Sequence, residues 1–409
     1  MRVALVNPAW DFTGSIYFGC RAPHLPLELG YARALMVRAG HTAEVFDLHL
    51  LGGAADDVAA FRPDMTVVTT APSYLFWRCP PPELRVPRDF VAALDGRGGR
   101  TVAVGPHGSA TPGTVRRKLG VDYVIRGECE EAVADLADGR YVPERLHETR
   151  FADLPALSWA DAAVARHAHH HHRFDSAPHG PGAEVEASRG CPYACSFCAK
   201  LDFRDRYRRR HLPTLLEEID RLAAQGVTYL YFIDEIFLPW RDLLEALAPR
   251  GLAFGVQTRI DLWKPPMLEL LGRAGCVSIE AGVESLTEAG RAALAKDCRI
   301  DTGALAARLI EAARHVPFVQ ANLIATPGDD AAEVAAWRDE LRAAGVWAND
   351  PVPLYPYPGS PDYRARWGIP DDAAWERAHA QYLSDVRRFS DIQETAPLPL
   401  AVLENTCPV

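Results

Sequence analysis

The stretch Glu184-Val185-Glu186-Ala187-Ser188-Arg189-Gly190-Cys191-Pro192-Tyr193-Ala194-Cys195-Ser196-Phe197-Cys198-Ala199-Lys200 decides the reading of this chain. Its first residues, Glu184–Ala187, read as a strand. Just after it, Cys191, Cys195 and Cys198 stand in the spacing C-x3-C-x2-C. Thiolates are the usual ligands of iron–sulfur clusters. Three closely spaced thiolates can bind three irons of a cubane and leave the fourth iron open to a ligand that is not protein. Zinc is the competing reading. It usually takes four ligands in paired C-x2-C groups, and the sequence offers no second pair.

Downstream of the cysteines, strand and helix signals alternate. Strands are expected at Thr228–Ile233, Phe254–Gln257, Cys276–Glu280, Val319–Ile324 and near Pro351–Leu354. Helices are expected at 213–224, 240–247, 266–273, 288–295, 302–314 and 330–344. Six βα units predict a partial (β/α)6 barrel over residues 184–355, with its chemistry at the carboxyl ends of the strands. The extension 356–409 is Pro-rich, with a helix expected near Ala373–Val386.

Upstream, residues 1–140 alternate in the same way. Strands are expected at Arg2–Asn7, Ala43–Asp47, Asp64–Thr70, Thr101–Val104 and Tyr123–Arg126, with helices at Leu27–Arg38 and Arg88–Leu94. Short Val-rich runs bounded by Gly and Pro suit a buried parallel sheet. The expectation is an α/β chain opening with a Rossmann-like, doubly wound domain. Ligands of such sheets sit at the carboxyl ends of the strands, where Asn7-Pro8, Asp47, Ser73 and Gly105-Pro106-His107 fall. Residues 141–183 have weak periodicity and read as a linker. They hold His167 and the run His169–His172, which is read as surface or flexible chain before metal site.

The chain has 409 residues, 48% of them hydrophobic, and a net charge of −10. That balance argues against broad binding to nucleic acid or anionic membranes. The run Arg204-Asp205-Arg206-Tyr207-Arg208-Arg209-Arg210 reads as a solvated face or small anion site. No window approaches the ~20 apolar residues of a membrane span, and no signal peptide is recognisable. A cytoplasmic setting is expected, with the nine cysteines as free thiols or ligands.

The cysteine segment, with Phe197 before the third cysteine, resembles the radical S-adenosylmethionine (SAM) superfamily. The resemblance implies a [4Fe–4S] cluster whose open iron binds SAM, and reductive cleavage of SAM to a 5′-deoxyadenosyl radical. It also implies a one-electron donor such as flavodoxin or ferredoxin. Tyr231–Phe237 is similar to the family's F-x-D-E-x-F segment, which makes Asp234 and Glu235 expected contacts of the SAM amino group. The other reading is an acidic pair capping the next helix. Arg259, in Gln257–Asp261, could fork onto the SAM carboxylate or pair with Asp261. Ser278–Ser285 resembles the G-x-E-S segment, which places Glu284 at SAM. Ala325–Asp330 and Tyr357–Ser360 resemble the turns that close the barrel, although Ala325 stands where the family has Gly.

The N-terminal region resembles the cobalamin (B12)-binding domain found before such barrels, through His24–Tyr31, Ala39-Gly40-His41, Gly105-Pro106-His107 and Gly127–Glu130. Cobalamin is then possible, with Ser73, Gly105 and His107 as expected contacts. Asp47–Gly52 spells D-x-H-x-x-G, a cobalt-ligating signature, but follows the second strand instead of the first. A domain that binds substrate, or nothing, is the alternative. The whole pattern is similar to a compact subgroup of avilamycin-type radical SAM epimerases associated with oligosaccharide antibiotics. That favours epimerisation of a saccharide or other small natural product, with Cys276, Cys298 or Cys407 returning hydrogen. Cobalamin-dependent C-methylation is the alternative reaction, and a non-catalytic iron–sulfur and corrinoid sensor the alternative of another class.

Overall fold

The computed structural model describes residues 1–17, 23–73, 80–143, 145–167, 181–386 and 397–405. The N-terminal unit is a five-stranded parallel sheet: β1 (Arg2–Asn7), β2 (Thr42–Asp47), β3 (Met65–Thr69), β4 (Arg100–Val104) and β5 (Tyr123–Val124), in the order β2-β1-β3-β4-β5. Alternate residues of a strand face opposite sides. Val3 and Leu5 pack with Leu29 and Val133 on one face. Ala4 and Val6 pack with Val58 and Leu94 on the other. Both faces are covered, which is why these strands read as continuous apolar runs. The order reverses between β1 and β3, so the crevice for a ligand lies above their carboxyl ends.

The second sheet begins at β6 (Gly182–Val185). A short antiparallel pair, β7 (Ser188–Arg189) and β8 (Arg208–Arg209), closes the base of the cysteine loop. β9 (Tyr229–Phe232), β10 (Ala253–Thr258), β11 (Cys276–Glu284), β12 (Phe318–Leu323) and β13 (Trp347–Ala348) complete six parallel strands in the order β13-β12-β11-β10-β9-β6. Val256, Ile279 and Val319 are fully buried against the outer helices, with Leu268 and Leu309. The opposite face carries Gln257, Glu280 and Gln320 side by side in register. The barrel is therefore apolar outside, under its helices, and polar within.

Three expectations are corrected. The sixth strand is Trp347–Ala348, and Pro351–Leu354 contributes only an isolated bridge between Val352 and Ile324. The segment 141–183 is no loose linker where it is described: Phe151, Leu154, Leu157 and Val164 belong to the barrel's own core. The extension holds three short helices, Pro361–Trp367, Ala374–Asp385 and Leu400–Leu403. It packs across the N-terminal unit. Trp375 stacks on His107 at 3.7 Å between ring centroids and donates to Thr111 at 2.9 Å. Among the described residues, no helix is long and apolar enough to cross a membrane.

The arginine run is a solvated face only at Arg206 and Arg209. Arg204 and Arg210 are each 2% exposed. Arg204 reaches Glu28 of the N-terminal unit at 3.1 Å, Glu186 at 3.0 Å and Glu235 at 3.2 Å. Arg189 joins Glu186 at 2.7 Å and Glu130 at 2.6 Å. Arg208 pairs with Glu128, and Arg210 reaches Tyr31 at 2.7 Å and Glu218 at 3.1 Å. Burial works to raise the Glu186 carboxyl, but Arg189 and Arg204 outweigh it and hold it below its ordinary range. For Glu28, burial wins over Arg204 and the carboxyl is raised.

Truncating one partner of such a buried network leaves its mate charged and dry, which costs ~3–5 kcal/mol. Arg204→Met should therefore lower the urea unfolding midpoint clearly. Arg206→Met, which removes the solvent-exposed pair with Glu148, should leave the midpoint where it is.

Candidate functional site

The three cysteines lie on the excursion between β7 and β8. Gly190 opens it with φ +75°, and a Cβ there would stand 2.0 Å from the Arg206 carbonyl oxygen. Only glycine permits that backbone with that approach. The Gly190 N–H donates to Glu235 at 2.8 Å. Lys200 Nζ donates to the Cys191 carbonyl at 2.6 Å and pairs with Asp205 at 2.6 Å. The Ser196 N–H meets the Leu294 carbonyl at 3.0 Å, and the Asp362 N–H meets the Ser196 carbonyl at 2.9 Å. The loop is thus fixed from the barrel side and from the C-terminal extension.

All three thiols are free and half-buried as residues. Burial raises the Cys191 and Cys195 thiols, and pushes Cys198 up to about 12. Cys191 and Cys195 add to the rise at Cys198 through their own charge. Three thiolates gathered in so dry a place need a cation to stabilise them. The donor set suits iron, and three sulfur ligands leave a cubane one open position. The residues therefore fit a [4Fe–4S] cluster, with Cys191, Cys195 and Cys198 as those that would hold it.

The expected SAM contacts divide. Glu284 sits where the β11–β12 register shifts, between Gly282 and Glu284. Its own φ is +63°, a left-handed backbone on a residue that is not glycine. Such strain persists where the surroundings enforce it and gathers at functional sites. The bulge turns its carboxylate onto Lys296 Nζ, and both groups act electrostatically on Cys195. Glu284 is thus brought to the cluster loop as the sequence suggests, together with Lys296, which no motif announced.

Asp234, Glu235 and Arg259 are committed elsewhere. Asp234 is buried, accepts the Ala187 N–H at 2.9 Å and takes the Ser188 hydroxyl. Burial raises its carboxyl well above the usual range. Glu235 holds Gly190 and Arg204. Arg259 donates to Asp261 at 2.8 Å, to the Lys296 carbonyl at 2.6 Å and to the Asp297 carbonyl at 3.1 Å. Its guanidinium also lies 3.9 Å from the centroid of the Tyr193 ring. As placed, these side chains position the cysteine loop and the Lys296 turn.

Of the described hydrogen-donor candidates, Cys276 lies away from the site, whereas Cys298 follows Lys296 and Asp297, whose carbonyls hold Arg259. Cys276 opens β11, at the amino end of the strand and the far side of the barrel from the cysteine loop. Its buried thiol is pushed up to about 12. Cys298 directs its Sγ to the Ile300 carbonyl at 3.6 Å. Cys407 lies outside the described residues, as does the run His169–His172.

In the N-terminal unit, Ser73 is taken up by Glu28 and by the Leu27 N–H at 3.1 Å. Gly105 follows β4 with φ +122°. His107 bonds the Pro81 carbonyl through Nε2 at 2.8 Å. Burial lowers its pKa to about 3, so the ring is neutral. His107 Nδ1 and Thr69 Oγ1 are buried without a hydrogen-bond partner among the described residues. Both stand at the carboxyl ends of neighbouring strands, β4 and β3. Unsatisfied polar atoms at that edge of the sheet suit a ligand rich in polar groups. His49 follows β2, the edge strand, and so stands away from the crevice between β1 and β3.

Residues 185–341 match the Radical SAM superfamily. An uncharacterized methyltransferase of Pyrococcus horikoshii is 24% identical over 327 residues, which cover 70% of this chain and 66% of that relative, just under two thirds of its length. The radical SAM methyltransferase TsrM from Kitasatospora setae, solved with cobalamin and a [4Fe–4S] cluster, superposes with TM-score 0.69 at 19% identity, over 98% of this chain and 82% of TsrM. The cobalamin-dependent radical enzyme OxsB superposes with TM-score 0.67 at 13% identity, over 94% and 66%. At these identities the two structures speak for the fold. Alanine at Cys191, Cys195 or Cys198 should abolish cluster loading, read as iron content after anaerobic reconstitution, while Cys276→Ala should keep it. Residues 185–341 are thus similar to the radical SAM superfamily, and all three cysteines fall inside that match.

Proposed function

We propose that the protein is a cobalamin-dependent radical SAM methyltransferase acting on a small-molecule substrate. One observation carries this reading. Glu28, Glu128 and Glu130 belong to the carboxyl edge of the N-terminal sheet, and they are ion-paired to Arg204, Arg208 and Arg189, which flank the three cysteines. Whatever the N-terminal crevice holds therefore faces the cluster loop. Methyl transfer to carbon needs that juxtaposition of two carriers; epimerisation needs only one, together with a thiol.

The epimerase reading has less support. Cys276 is buried at the wrong end of its strand, and the relatives similar to this chain include methyltransferases, methylthiotransferases and cyclases, with cobalamin-dependent radical enzymes among the structures that share its fold. A sensor role is also less well supported, since the strained Glu284 pairs with Lys296 and both act electrostatically on Cys195 of the cysteine loop.

When bound, the cluster and SAM supply a 5′-deoxyadenosyl radical, and a corrinoid supplies a methyl group. The chain's own part is positional. Arg189 and Arg204 fix the loop against the crevice. Arg259 holds the turn that carries Lys296. Glu284 and Lys296 offer an acceptor and a donor to the two charged ends of an amino acid moiety. The polar inner face, with Gln257, Glu280 and Gln320, suits a substrate with hydrogen-bonding groups.

The test is anaerobic reconstitution with iron, sulfide and hydroxocobalamin, followed by reduction with SAM present. Retention of about one corrinoid per chain and formation of 5′-deoxyadenosine are expected, with a product heavier than substrate by one CH2. A product of unchanged mass that carries solvent deuterium would restore epimerisation. Glu284→Gln should weaken SAM binding by ~10-fold, the loss of one charge-assisted contact, with iron content unchanged.

A further inference from the structure

A second cluster of ligand side chains lies away from the cysteines, where the N-terminal unit meets the first barrel strand. His24 precedes the helix Leu27–Arg38, His167 follows the helix Asp161–Arg166, and Glu184 is on β6. Their ligand atoms all fall within 4.8 Å of one another. His24 Nδ1 is 2.7 Å from Glu184 Oε1, and His167 Nε2 is 3.1 Å from Glu184 Oε2. His24 is 6% exposed, and His167 and Glu184 are fully buried.

We propose that His24, His167 and Glu184 form a binding site for a divalent transition metal, zinc foremost, that ties β6 to the N-terminal unit. The donor count is sufficient: two imidazole nitrogens and a carboxylate that can bind through both oxygens give four N/O donors. The outer contacts are those of a metal site. The Gly182 carbonyl accepts from His167 Nδ1 at 2.6 Å. That bond keeps a proton on Nδ1; the Glu184 carboxylate outweighs burial, raises the ring's pKa and favours a second proton on Nε2, the proton that a metal would displace. The Leu25 N–H donates to Glu184 Oε2 at 3.0 Å and holds the carboxylate in place. Asp47 is near enough to act on His167 electrostatically, and is itself held by Asn7 at 2.8 Å. It supplies a second negative charge beside a dication. No thiol is involved, so the site is chemically distinct from the cluster.

The three ligands come from three segments far apart in sequence and are brought together only by folding. A metal there would hold β6 against the N-terminal unit two residues before Glu186, where the arginine network begins.

The test uses the full-length chain with Cys191, Cys195 and Cys198 replaced by alanine, so that zinc cannot lodge in the cluster site. Element analysis after passage over a weak chelator should give about one zinc per chain. Glu184→Gln and His167→Ala should bring it to background. Because those variants could unfold, the unmutated triad is also loaded with Co2+ after zinc removal. Weak visible d–d bands without thiolate charge-transfer absorption are expected. A folded protein that arrives without zinc and takes up neither Zn2+ nor Co2+ overturns the proposal, and the triad is then a histidine–carboxylate hydrogen-bond network. Cobalt uptake with a thiolate band overturns it as well, by placing the metal on a cysteine.

Discussion

The structure turns on the pairing of buried arginines from the cysteine loop with buried carboxylates from the N-terminal sheet. Arg189 and Arg204 carry full charge in a dry interior, which is tolerable only because Glu28, Glu128, Glu130, Glu186 and Glu235 surround them. Replaced by apolar side chains, the interface could be as stable. What the ions add is direction. A bidentate guanidinium accepts its partners in a plane, so the loop has one orientation against the sheet. Arg189 stands two residues before Cys191, and its orientation passes to the cysteine almost without slack.

The same economy governs the barrel side. Asp234 and Glu235 end β9 as an acidic pair, and both spend their carboxylates on the backbone or arginines around Gly190. Arg259, at the end of β10, ties the cysteine loop to the turn that carries Lys296 through Tyr193 and two carbonyls. Only Glu284, on the bulged and left-handed end of β11, is turned toward the open side with a single cation for company. Strain and an incompletely satisfied carboxylate coincide at one residue, which is the pattern expected of a binding group instead of a scaffold.

Much of this was legible in the sequence. The strand Arg2–Asn7 announces itself by an apolar, Val-rich run, the strand Cys276–Glu284 only as far as Glu280, and the helix Leu27–Arg38 by its boundaries. The three cysteines mark a cluster through spacing alone. Other features were not legible. Asp234 and Arg259, expected at SAM by type and position, also hold protein partners that no local pattern announces. The arginine run looked solvated because a run of like charge normally is, and its burial depended on carboxylates up to 176 positions away. Trp375 over His107, and Lys296 beside Glu284, carry no motif at all.

Local patterns therefore determined the two α/β units and the place of the cysteines, because periodicity and spacing act over a few residues. The tertiary structure decided which partners the buried acidic and arginine side chains find, and that His24, His167 and Glu184 meet. Those outcomes rest on charges and lone pairs that find one another only when distant segments are packed together, and a chain written in one dimension records no distance between them.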